Sequence, residues 1–64
     1  MNQITVTLPD GSTRSFESGI TPYDVALDIG ERLAQDVVCA KIDGVISDLS
    51  ISLRKDVSLA LFDG

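Results

Sequence analysis

Two aspartates four residues apart, Asp24 and Asp28, are the first candidates for chemistry in this sequence. On a helix that spacing stacks the side chains on successive turns, and paired carboxylates serve as acid and base when their surroundings drive their pKa values apart. Plainer duties account for both. Asp24 stands three positions after Thr21, with Pro22 between them, which is a helix-capping signature, and Asp28 is spaced to pair with Arg32. Cys39 and Lys41 alternate on one strand face, where an ammonium group can activate a thiol, but the chain contains no histidine to act as a base. Cys39 therefore reads as a small apolar filler on the less covered face of a sheet. A single cysteine without histidine also gives no disulfide and no Cys/His metal cluster. The glycines at 11, 19, 30 and 44 fall at turns and caps rather than in a phosphate-cradling loop. The expectation is a chain without catalytic, cofactor or metal residues.

Binding surfaces remain. Arg14, Lys41, Arg54 and Lys55 are the cations that could meet phosphate, with Lys41 and the adjacent Arg54 and Lys55 as candidate RNA contacts and solvated surface charge as the plainer alternative. Tyr23 and Leu27 lie on the helix side opposite Val25, where they either anchor another domain or roof the 49–53 segment. Ten acidic against five basic residues give a net charge of −5, which disfavours DNA and restricts any RNA contact to a local one. No apolar run approaches the roughly 18 residues needed to cross a bilayer, and Met1 leads into Asn2 and Gln3 rather than a basic and apolar leader. A cytoplasmic chain with no membrane partner is expected.

The elements that must position these residues follow from periodicity. Ile4, Val6 and Leu8 alternate with Thr5 and Thr7, a half-buried strand, and Leu8-Pro9-Asp10-Gly11-Ser12 supplies the turn into a second strand over residues 13 to 17, anchored by Phe16. A helix starts at Pro22, with Ile20 placed to staple onto Val25, and buries Val25, Ala26, Ile29 and Leu33 while exposing Asp24, Asp28, Glu31 and Arg32. Gly30 weakens a helix interior by about 1 kcal/mol and predicts a break, with a short turn resuming through Leu33. Strand alternation returns over residues 37 to 42, with Val38, Ala40 and Ile42 on one side and Val37, Cys39 and Lys41 on the other. Asp43-Gly44 then suits a type I′ turn into a short strand at Val45 and Ile46. Leu49, Ile51 and Leu53 are the expected core anchors of a polar loop ending in Arg54-Lys55-Asp56, and residues 57 to 62 form the last strand. The order ββαβββ with short connections is satisfied by one helix packed across one face of a mixed sheet, an α+β, ubiquitin-like β-grasp. A ferredoxin-like alternative needs a second helix, for which residues 49 to 55 are too few and too β-branched. A chain of this length buries only roughly 60% of its unfolded surface, too little for a deep enzyme cleft.

With those elements in place, Leu8-Pro9-Asp10-Gly11-Ser12, the run from Thr21-Pro22-Tyr23 through Asp24-Val25-Ala26-Leu27-Asp28-Ile29-Gly30, Ala40-Lys41-Ile42-Asp43-Gly44 and Asp48-Leu49-Ser50 resemble the TGS domain of threonyl-tRNA synthetases. The resemblance covers essentially the whole chain. It departs at Gly30-Glu31-Arg32-Leu33, where members often carry Gly-Pro-Gly-Leu, and at Asp43-Gly44, where Asn-Gly is common. It implies a single domain over residues 1 to 64, taken from the N-terminus of a longer chain that begins at Met1 and is cut near Gly64. The parent would join threonine to its tRNA with ATP, magnesium and zinc held in other domains, and this chain would be a non-catalytic accessory module beside the editing and catalytic domains. A tRNA-sensing TGS domain of a stringent-response enzyme is the alternative, although those usually carry a histidine after the helix and this chain has none. A ubiquitin-like sulfur carrier would need a Gly-Gly tail, and the sequence ends Phe62-Asp63-Gly64.

Overall fold

A computed structural model of the chain describes residues 2–63; the expectations resting on Met1 and Gly64 lie outside them. The elements run β1 (Gln3–Thr7), β2 (Thr13–Glu17), α1 (Pro22–Ile29), α2 (Glu31–Asp36), β3 (Val37–Ile42), β4 (Val45–Ser47) and β5 (Val57–Asp63). The strands form one sheet in the order β2-β1-β5-β3-β4, in which β1 and β5 are parallel and the other neighbours antiparallel. Strand side chains alternate between faces, and paired residues share one. The registers Ile4 to Phe16, Val6 to Val57, Ala40 to Leu61 and Ile42 to Leu59 therefore collect the apolar side chains on the face that meets the helices. Val25 and Ala26 of α1 are fully buried against it, and Leu53 closes one end of the core.

The local signals act as their chemistry requires. Thr21 and Asp24 close a reciprocal capping box, each backbone N–H donating to the other's side-chain oxygen at 3.2 Å, and Ile20 packs on the cluster that contains Val25. Asp43 at φ 50° and Gly44 at φ 86° are both left-handed, the type I′ geometry whose twist matches the strands it joins.

Three details differ from the expected pattern. Gly30 is extended and ends α1, its N–H bonding the Ala26 carbonyl at 2.9 Å. The chain then re-enters a helix that continues past Leu33 to Asp36 and buries Ala34. Because α2 feeds β3 with no linker, Val37 stays in the core with Ala26 and Ala34. The pairing with β5 then jumps from Val37–Asp63 to Cys39–Phe62, leaving Val38 as an extra residue, 62% exposed rather than aligned with Ala40. Among the expected anchors, Leu53 is buried and Leu49 half-buried, whereas Ile29 at the end of α1 and Ile51 in the irregular 49–53 segment stay exposed.

Candidate functional site

Asp28 meets Arg14 rather than Arg32. Arg14 stands opposite Val6 on the helix-facing side of β2, the outermost strand, and its guanidinium donates to Asp28 Oδ2 at 2.8 Å. The pair closes the side of the core where the sheet runs out, and both side chains remain about half exposed, 43% and 51%. The i, i+4 rule proposed Arg32 because it sees only the helix; the sheet brings a cation from seven residues before the cap. Of the two aspartates, Asp24 caps the helix and Asp28 is paired across to the sheet. Among the described residues no group of three or more His, Cys, Asp and Glu side chains is arranged to hold a metal ion, and no helix is long and apolar enough to cross a membrane.

The three candidate RNA-contacting cations do not converge. Lys41 is the penultimate residue of β3, on the face away from the helices, with Ala60 and Ile46 as its cross-strand neighbours. Arg54 and Lys55 belong to the connection beyond Leu53, which is pinned at the other end of β5 by paired 2.7 Å bonds, Gly19 N–H to the Leu53 carbonyl and Leu53 N–H to the Ile20 carbonyl. Extended chain rises about 3.3 Å per residue, so Lys55 and the Ala60 row that holds Lys41 are separated by on the order of 15 Å. Two carboxylates occupy the interval. Asp56 Oδ1 accepts the Thr5 N–H at 2.8 Å, and Asp43 Oδ1 accepts the Ser58 N–H at 2.9 Å. Both line a shallow polar depression of about 240 Å³ with Thr5, Thr7 and Ser58. A phosphate backbone following this face would cross negative charge between its two basic contacts. Among the described residues Arg14–Asp28 is the only ion pair, so Lys41, Arg54 and Lys55 carry exposed, unpaired charge.

Tyr23 and Leu27 lie on the outer side of α1, each 43% exposed. The backbone N–H of Tyr23 bonds the Leu49 carbonyl at 3.3 Å, so the 49–53 segment meets the start of the helix through its backbone and leaves these two side chains largely open. Cys39 is a half-buried free thiol on the same outward face as Lys41. Sequence reasoning missed the apolar part of that face. Ile46 is 66% and Phe62 40% exposed there, and the signal was the uninterrupted apolar run of residues 59 to 62.

A mixed five-stranded sheet ordered β2-β1-β5-β3-β4, holding a helical segment across one face, is a β-grasp domain. The TGS domain family matches residues 4–62, and the chain belongs to that family. Its relatives include the threonine–tRNA ligase of Prosthecochloris aestuarii, 48% identical over 59 residues that cover 92% of this chain and 9% of the ligase. Those of Chlorobium phaeovibrioides and Nitrosococcus oceani are 53% identical over 53 residues and 50% identical over 56, covering 83% and 88% of this chain and 8% and 9% of theirs. The chain thus spans less than a tenth of the length of these relatives.

Proposed function

We propose that this chain is a non-catalytic accessory module of a cytoplasmic threonine–tRNA ligase, helping to place neighbouring domains and making weak contact with tRNA. The observation that carries the reading is the close match, across nearly the whole chain, to a small part of several threonine–tRNA ligases. ATP, magnesium and zinc belong, in this reading, to the other domains of the ligase. The editing and catalytic domains are the partners, with Tyr23 and Leu27 available for docking.

Contact with tRNA rests on Arg54 and Lys55, adjacent, exposed and held on a pinned connection, while Lys41 stands apart from them behind Asp43 and Asp56. The test is the R54E/K55E pair in the full-length ligase. The KM for tRNA should rise at low salt, with the difference from wild type narrowing as salt is added, since phosphate contacts act through counterion release. An unchanged KM at low salt would remove the RNA contact and leave domain placement alone.

A further inference from the structure

The outward face of this sheet has two halves of different chemistry. On β1 and β2 the outward positions are Gln3, Thr5, Thr7, Thr13, Ser15 and Glu17, the polar pattern of a sheet face turned to water. On β3, β4 and β5 the corresponding positions include Cys39, Ile46, Ala60 and Phe62, with Lys41 among them. Residues 59–62 are therefore apolar toward both faces, the pattern of a strand covered on both sides, although the helices cover only one.

We propose that the outward face of β3, β4 and β5 is a docking surface for another domain of the same longer polypeptide, one that lays an apolar patch over Ile46 and Phe62 and presents a carboxylate to Lys41. The inference rests on the threonine–tRNA ligase reading, in which more than nine tenths of the polypeptide lies outside this segment. Charge selects the occupant. Lys41 has no ion-pair partner among the described residues and stands between Ala60 and Ile46, and an apolar surface closing over it must supply an acceptor. A second copy joined by a two-fold axis through this patch would bring Lys41 against Lys41. An RNA backbone would meet the apolar side chains here and the Asp43 and Asp56 carboxylates beside them.

The experiment is side-chain footprinting of the full-length ligase by carbene labelling, read at Phe62, Ile46, Tyr23 and Leu27, in wild type and in K41E, K41Q and T13E. The expected result is strong protection of Ile46 and Phe62 in wild type, lost several-fold in K41E, partly lost in K41Q and unchanged in T13E, whose substitution lies in the polar half. Lys41 is exposed, so these changes leave the core intact. Phe62 labelled freely in wild type and indifferent to K41E would overturn the proposal. Protection that appears only at higher protein concentration, or only when tRNA is added, would overturn it in favour of self-association or RNA. Protection of Tyr23 and Leu27 alone would overturn it while leaving the accessory reading standing, whereas no protection at any of the four sites would count against domain placement altogether.

Discussion

The two faces of this one sheet are built from the same strands and differ in what finishes them. Toward the helices, Val6, Ala40, Leu59 and Val25 lose all but 2% or less of their exposure, and the perimeter is closed by a capping box and an ion pair. Away from the helices, Cys39, Ala60, Phe62 and Ile46 are apolar but only partly covered. The difference separates residues that hold the domain together from residues whose apolar character the domain itself does not use. It is the second group on which the proposed docking surface rests.

The largest effect that can break this contrast is a truncation on the covered face. Leu59→Ala removes a side chain that is 2% exposed, and such substitutions cost about 2–5 kcal/mol. A domain of this size has about 3–10 kcal/mol in all. The variant should lose most of its urea midpoint, whereas Ile46→Ala, on the open face, should shift stability by less than about 0.5 kcal/mol. Similar losses at the two positions would erase the distinction. Next comes the helix start: Thr21→Ala removes the acceptor for the Asp24 N–H and should cost about 1 kcal/mol, read from the same unfolding curves.

The perimeter ion pair is smaller. A double-mutant cycle on Arg14 and Asp28 should give a coupling of about 0.2–1 kcal/mol that fades with salt, because both side chains are about half exposed. Smallest is the Asp10 turn. The Ser12 hydroxyl and then its backbone N–H donate to the Asp10 carboxylate and hold its pKa below the usual value. A lowered folded pKa means that the contribution is fully present above the ordinary carboxylate pKa of about 4 and is lost as pH falls through the folded value. Asp10→Asn should therefore lower stability slightly at neutral pH and flatten its loss in acid, so that variant and wild type converge as pH falls.

Much of the covered face was legible in the sequence because its signals are local. Period-two alternation marked Ile4, Val6, Val57 and Leu59, the capping residues placed the start of α1, and Asp43-Gly44 placed the second hairpin. What could not be read locally was long-range. Arg14 reaches Asp28 only because β2 forms the sheet edge beneath the helix, and Val38 turns outward only because α2 enters β3 directly and Val37 is already committed to the core. The candidate site divides in the same way. Residue type alone nominated Lys41, Arg54 and Lys55 together, but only the register shows Asp43 and Asp56 between them and sets Lys41 among apolar neighbours.

In the proposed function the domain serves a ligase without taking part in its chemistry. The direct measurement is threonine-dependent ATP–pyrophosphate exchange by the full-length ligase with and without residues 4–62, with the fold of the remainder checked by circular dichroism. Exchange should persist near the intact rate, while tRNA-dependent steps change. Loss of exchange in a remainder that is still folded would contradict that role, because amino-acid activation would then depend on residues 4–62.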